Sequence, residues 1–286
     1  MLTINLKQGN DAFVVQPEAA ALPAVAGAPH LSNSVASLLE EIASVDQHGQ
    51  PRKTLLPCER PLTIRMAGRD LITLMTLGAS PELLVLGFLR NQRIIENAAD
   101  IESLHVDWNA GVADVELRAS AVENSRLGLA RATGCGLGSA LLGLSPRLSP
   151  ARLAASTVLR VLEVMRQHDA IHRGAGSVHS CALFRGADLW VAVEDVSRHN
   201  GVDTVTGWMA QHGVAGDDKI LFTTGRLTAE MVMKAAYSGI PVMLSRNGTT
   251  AKGQEIASQN GMILIGRAAN RKFLCYVGCE RLAFDL

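Results

Sequence analysis

Between residues 219 and 265, three short apolar strands alternate with two helices of 3.6-residue periodicity, which commits this part of the chain to a parallel sheet. The strands read Lys219-Ile220-Leu221-Phe222, Ile240-Pro241-Val242-Met243-Leu244 and Met262-Ile263-Leu264-Ile265. The helices between them span residues 228–237, with Met231, Val232 and Ala235 on one face, and residues 250–259. Strands joined through a helix run parallel with right-handed crossovers. A turn bearing glycine and arginine follows each of the first two strands: Thr223-Thr224-Gly225-Arg226, then Ser245-Arg246-Asn247-Gly248-Thr249-Thr250. Both turns fall at the carboxyl edge of the sheet, where ligands of open α/β folds collect. Unpaired backbone N–H groups at helix starts and two guanidinium groups would suit a phosphate or pyrophosphate. The plainer alternative is two solvated arginines beside ordinary N-caps, Thr228 and Thr249 or Thr250. Repetition of the turn on consecutive strands favours the ligand.

The chain has 286 residues, 48% hydrophobic and 19% charged, enough to bury a sizeable core in one or two domains. Its formal net charge of zero supplies no basic field for nucleic acid, although arginine outnumbers lysine, which suits fixed contacts to phosphate or carboxylate. No run approaches the roughly 20 apolar residues of a membrane helix. The N-terminus lacks a basic start followed by an apolar stretch, so the expected location is the cytoplasm. Cys58, Cys135, Cys181, Cys275 and Cys279 include no C-x-x-C pair, so neither a disulfide framework nor a zinc knuckle is indicated. Alternation over residues 272–277 makes Cys275 a strand residue facing the core.

Four regions are expected. Residues 1–55, rich in alanine and proline, read as a loosely ordered extension, with one short helix at 34–42 where Val35, Leu38, Leu39 and Ile42 share a face. Residues 56–130 form a small α+β lobe. It has a hairpin at 61–76, a helix that Ser80 caps and Pro81 opens, and a second hairpin at 101–118. Residues 131–149 are a glycine- and cysteine-bearing loop. Residues 150–286 form an α/β ligand-binding domain that starts with an amphipathic helix at 150–168, its Leu153, Val158, Leu162 and Met165 inward. Strands at 178–184 and 189–193 and a helix at 201–211 precede the parallel unit.

Chemistry-bearing residues cluster in two places. In Gly134-Cys135-Gly136-Leu137-Gly138 the glycines leave Cys135 accessible, and neighbouring N–H groups with Arg131 could stabilise a thiolate able to carry sulfur as a persulfide. The structural alternative is a small apolar filler in a loop. The G-x-G-x-G spacing, with no clear strand before it, is not a dinucleotide fingerprint. The second place is Glu194-Asp195-Val196-Ser197-Arg198-His199-Asn200, whose carboxylates, cation and imidazole suit acid/base work, ligand recognition or a purely structural network. His172 and His179 flank Gly174 and Gly176. No H-x-E precedes a P-C-x-x-C, so zinc-dependent deamination lacks its ligands and its general acid, and no metal site is expected.

Taken in order, several segments resemble the formate dehydrogenase accessory sulfurtransferase family. They are Glu59-Arg60-Pro61-Leu62-Thr63-Ile64, Gly87-Phe88-Leu89, Gly134-Cys135-Gly136, the run from His172 to His179, the run from Glu194 to Asn200, the run from Gly225 to Ala235, and Gly239-Ile240-Pro241 through Ser245-Arg246. The series covers the chain from about residue 59 to its end. The resemblance implies a cytidine-deaminase-like three-layer α/β/α core without zinc, beside the smaller α+β lobe, usually as a homodimer. It further implies that Cys135 accepts sulfur from a cysteine desulfurase and passes it to the molybdenum bis(guanine dinucleotide) cofactor of formate dehydrogenase. Its nucleotide and phosphates would be held by Gly225, Arg226, Ser245, Arg246, His179, Arg198, His199 and the segment Arg267-Ala268-Ala269-Asn270-Arg271-Lys272. A cofactor chaperone that no longer transfers sulfur is the alternative. The chain departs from the family pattern at Gly138, where a second cysteine is usual, at Ser197 for glycine, Thr204 for lysine, Asn247-Gly248-Thr249 for Ser-Ala-Pro, and Ala269-Asn270 for a basic residue and glycine. A persulfide needs one sulfur atom on the protein; what is lost is an internal resolving disulfide.

Overall fold

The computed structural model describes residues 12–16, 21–34, 36–122 and 148–286. Cys135 and its glycine-bearing loop lie outside the described residues. In chain order the elements are β1 (Phe13–Val15), β2 (His30–Leu31), β3 (Leu39–Val45), β4 (Pro51–Pro57), β5 (Arg60–Met66), β6 (Arg69–Thr76), α1 (Pro81–Asn91), β7 (Ile101–Asp107), β8 (Val112–Leu117) and α2 (Ala119–Val122). They continue with β9 (Leu153–Ala154), α3 (Ala155–His168), α4 (Ala170–Gly174), β10 (His179–Arg185), β11 (Asp188–Asp195), α5 (Arg198–His212), β12 (Lys219–Thr223) and α6 (Ala229–Tyr237). The last are β13 (Val242–Ser245), α7 (Ala251–Gln259), β14 (Ile263–Ala269), β15 (Lys272–Val277) and β16 (Leu282–Ala283).

A seven-stranded sheet in the order β1-β11-β10-β12-β13-β14-β15 forms the larger core. Its β12, β13 and β14 are parallel, as the alternating pattern requires, and the remaining neighbours pair antiparallel. Side chains alternate between its faces. Leu183, Val191, Leu221, Met243 and Leu264 meet Val202, Val205, Met231, Val232 and Ile256 of α5, α6 and α7. On the other face Phe184, Phe222, Leu244 and Ile265 meet Val158, Val161, Leu162 and Met165 of α3. Burial of each large side chain contributes about 1.5–3 kcal/mol. The architecture is three-layered, α/β/α.

A five-stranded sheet, β2-β7-β8-β5-β6, assembles the two expected hairpins through a parallel β5–β8 pair. Its core of Leu62, Ile64, Leu86, Leu89, Ile101 and Val106 joins the larger unit through α1, which crosses α5. Gly87 and Gly207 make that crossing: a Cβ on Gly87 would collide with the Asp203 carbonyl oxygen, and one on Gly207 with that of Leu83. Among the described residues no helix is long and apolar enough to cross a membrane.

Two local expectations are corrected. Instead of a helix at 34–42, Leu39–Val45 is a strand paired antiparallel with Pro51–Pro57. Asp46 accepts from the N–H groups of His48 and Gln50 at 2.9 and 3.0 Å, and Gly49 takes φ +73°, so a local turn overrides the helical spacing. The helix expected from residue 150 begins at Ala155, because Leu153 and Ala154 pair instead with Leu282 and Ala283. Asp285 then accepts from Ser156 N at 2.9 Å and Ser156 Oγ at 2.6 Å, satisfying a donor of the first turn from a distant part of the chain.

Candidate functional site

The carboxyl ends of β12 and β13 carry the two glycine/arginine turns, and the turns are stitched to each other. Leu227 N donates to Gly248 O at 3.0 Å and Thr250 N to Leu227 O at 3.1 Å. Ser245 Oγ donates to Gly225 O at 2.6 Å, and Asn247 Nδ2 to Thr224 O at 3.1 Å. Thr228 and Thr250 stand at the N-cap positions of α6 and α7; Thr250 Oγ1 accepts from Gly253 N, whereas the Thr228 side chain makes no capping hydrogen bond. This narrows the expectation of free backbone donors. The N–H groups of Thr224, Gly225, Leu227, Arg246, Asn247 and Thr250 have partners inside the protein, so these six are not offered to an anion.

Those side chains converge. Thr224 Oγ1 accepts from Ser180 N at 3.0 Å and lies 3.3 Å from His179 Nδ1, which fixes His179 at the start of β10 beside the first turn. Arg198, in the first turn of α5, lays its aliphatic stem on Gly225, where a Cβ would come within 2.6 Å of Arg198 Cβ. Arg226 is exposed. Burial lowers the pKa of His179, and the charges of Arg198, His172 and Arg226 lower it further. Arg198 and Arg226 thus place two positive charges beside the first turn, which the neutral overall charge conceals. His199 is brought down to about 3 by burial and by Lys234, Arg198 and His179. Its Nδ1 stands 3.6 Å from Glu230, too far for a hydrogen bond, and has no other partner.

Arg246 occupies a different position from Arg226. It donates from Nη1 to Asp169 Oδ2 at 2.7 Å, and its guanidinium sits over the Phe222 ring. One side of the fork is therefore committed to the protein. The 267–272 segment extends the same edge: Arg267 N donates to Asn247 O at 2.8 Å. Asn270 and Arg271, with φ of 51° and 60°, close a two-residue turn between β14 and β15. Arg267, Ala269, Asn270, Arg271 and Lys272 are exposed, but the Ala268 side chain is buried in the core and could offer a ligand only its backbone.

Glu194 and Asp195 are structural. Glu194 accepts from the N–H groups of Ile171 and His172, both at 2.8 Å, and from Ser180 Oγ at 3.3 Å. Asp195 accepts from Thr76 Oγ1 at 2.5 Å, Leu77 N at 3.1 Å, and Ser197 N and Asn200 Nδ2, both at 2.9 Å. Burial raises both, Asp195 to about 6, against the pull of these donors. Their oxygens are committed to these donors, which matches the structural-network reading for the two carboxylates, while Arg198 and His199 of the same run face the first turn.

Sequence reasoning missed several residues that set this geometry. Thr224 holds His179, and Asp169 holds Arg246. Lys234, buried against Asp203 at 2.7 Å and 3.6 Å from Glu230, acts on His199 from below. The four-residue spacing of Glu230 and Lys234 was the one readable signal, since it places both on one face of α6.

The family model described as the FdhD/NarQ family matches residues 57–283. The chain is 27% identical over 232 residues to the sulfur carrier protein FdhD of Geobacillus kaustophilus, covering 78% of this chain and 88% of that one. It is 25% identical over 262 residues to the FdhD of Halalkalibacterium halodurans, covering 88% and 97%. A crystal structure described as that of a formate dehydrogenase accessory protein from Desulfotalea psychrophila superposes with a TM-score of 0.70 at 26% identity, covering 86% of this chain and 99% of that one.

Proposed function

Because the chain belongs to the FdhD/NarQ family, we propose that it is a sulfur carrier serving the maturation of a formate dehydrogenase. Cys135 is the carrier. Its thiolate attacks the outer sulfur of a cysteine desulfurase persulfide; the bond between the two donor sulfurs breaks, the desulfurase leaves as a thiol, and Cys135 becomes the persulfide. The sulfur then passes to the molybdenum bis(guanine dinucleotide) cofactor, bound as substrate. The proposed location is the cytoplasm and the proposed assembly a homodimer.

The observation that carries the substrate class is the cluster of His179, Arg198 and Arg226 at the carboxyl edge of β12. In this cluster the guanidinium groups of Arg198 and Arg226 supply positive charge for phosphate oxygens, and Arg226 can offer a bidentate fork. His199, kept neutral, can hydrogen-bond a nucleotide without adding charge. Arg267, Arg271 and Lys272 extend the basic surface along the same edge. Arg246 contributes from the side not held by Asp169.

Gly138 favours a second reading, a cofactor-binding chaperone without sulfur transfer, because the usual second cysteine is absent there. Incubation with a cysteine desulfurase and cysteine, followed by peptide mass spectrometry, separates the two. A sulfur adduct confined to Cys135 and absent from Cys135→Ala supports the carrier. Guanine-nucleotide binding without any adduct supports the chaperone. Full activation of formate dehydrogenase by Cys135→Ala sinks the carrier mechanism.

A further inference from the structure

Three described cysteines near the large sheet differ sharply in setting. Cys181 is wholly buried beneath the site, its Sγ 3.2 Å from Thr223 Oγ1, and burial pushes its thiol up to about 12. Cys275 and Cys279 instead form a pair beside the amino-terminal end of β14, away from the glycine/arginine turns. Strand β15 ends at Val277, and Gly278 follows with φ +75°, a left-handed conformation that folds the chain back. A Cβ at Gly278 would also press on Ile263 at 2.9 Å and Met262 O at 3.0 Å. Arg281 pins the returning turn by donating to Gly261 O at 2.7 Å and Met262 O at 2.8 Å. The short helical turn Cys279–Arg281 is thereby held against the strand. Cys279 Sγ–H donates to Cys275 O at 3.3 Å, which sets the exposed thiol against the backbone of the other cysteine, while Cys275 Sγ–H donates to Val277 O at 3.3 Å. Cys275 is half-buried and Cys279 is exposed.

We propose that Cys275 and Cys279 are a thiol–disulfide exchange site that closes an intramolecular disulfide on encountering a low-molecular-mass disulfide such as oxidised glutathione. Exposed Cys279 reacts first. It gives its proton to solvent and attacks one sulfur of the external disulfide; that S–S bond breaks, and one thiolate leaves and takes up a proton. Cys275 then loses its proton and attacks Cys279 Sγ, expelling the second external thiol. Two protein thiols are oxidised and one external disulfide is reduced to two thiols. The order follows from the setting: burial and the neighbouring Cys279 push the Cys275 thiol up to about 12, which suits it to the resolving role, in which the electrophilic sulfur is already beside it. Excess external thiol reverses both steps.

The test treats the full-length protein anaerobically with oxidised glutathione, alkylates remaining thiols and maps peptides by mass spectrometry. The expected product is a 275–279 disulfide, read as the loss of two hydrogens on the peptide spanning both cysteines and reversed by dithiothreitol. In Cys275→Ser the expected product is a persistent glutathione adduct on Cys279. In Cys279→Ser neither disulfide nor adduct forms at Cys275. The proposal is overturned if the wild-type protein accumulates glutathione on Cys279 without closing the ring. It is equally overturned if both cysteines stay reduced while free dithiothreitol in a parallel sample is oxidised. Both wild-type readouts stand whether or not the variants fold.

Discussion

Arg246 is bound to Asp169 by a 2.7 Å ion pair in which the carboxylate is almost wholly buried and the guanidinium is about one quarter exposed. The second turn of the site is thus tied to the junction of α3 and α4, on the opposite face of the sheet from the helices that follow the turns. Asp169 also pairs with Arg173 at 3.0 Å, so one carboxylate serves two cations.

Asp169→Ala should therefore loosen the site and the fold together. Removing one partner from a buried pair leaves the other uncompensated, at a cost of about 3 kcal/mol or more, reduced here because Arg246 can reach water. Urea unfolding should show the lower midpoint. Arg246→Ala leaves the buried Asp169 with Arg173 alone, so it should destabilise in the same direction but less; an unaltered midpoint in both variants would show that the pair contributes nothing to folding.

Arg226 is the contrasting case, since it is exposed and its main effect is electrostatic, on His179. Arg226→Ala should leave the unfolding midpoint unchanged while weakening binding of a guanine nucleotide, measured by calorimetry, by about tenfold or more, the loss of one charge-assisted contact. The deficit should shrink as salt rises. Equal affinity at low salt would remove Arg226 from the ligand site.

The parallel sheet and the two turns were legible because strand and helix periods alternate cleanly from Lys219 onward. What escaped was non-local. Asp169 lies far from Arg246 in sequence, and Thr224 is an unremarkable threonine until β10 is laid beside β12. The edge strands Phe13–Val15 and Leu282–Ala283 are too short to carry a pattern. At residues 34–42 a helical spacing was present but the turn at Asp46 to Gly49 prevailed, since pairing a strand across that turn satisfies more backbone groups than one exposed helix turn. Several of the free N–H groups expected of the turns were lost to the same cause: a turn on one strand is read alone in sequence, whereas in the fold Leu227 N donates to Gly248 O and Thr250 N to Leu227 O across adjacent turns.

The Gly87–Gly207 contact should be the least tolerant point between the two sheets. Gly87→Ala places a methyl group on the Asp203 carbonyl, and Gly207→Ala places one on that of Leu83, so backbone must move in either case. The expected loss is about 3 kcal/mol or more, read as a lower unfolding midpoint in each. The double variant should lose less than the sum of the two, because the first displacement already opens the crossing. Strict additivity would mean that the helices do not meet as a unit.

His199 provides a pH test. Its pKa falls from an ordinary 6.5 to about 3 on folding, so the unfolded chain binds the proton more tightly. Its contribution is complete above about pH 6.5 and is lost progressively as pH falls toward 3. Asp195 acts in the opposite sense: raised from 3.8 to about 6, it contributes below 3.8 and loses that contribution as pH rises through 6. Total stability therefore mixes the two, but His199→Gln removes only the first. The stability of the wild type relative to His199→Gln should decline from pH 6.5 to 4 with a slope no steeper than about 1.4 kcal/mol per pH unit, the limit for one proton. Paired urea titrations across that range measure it. A constant difference would mean that the imidazole is protonated in place, drawn toward Glu230, and that Lys234 is too well compensated by Asp203 to keep it neutral.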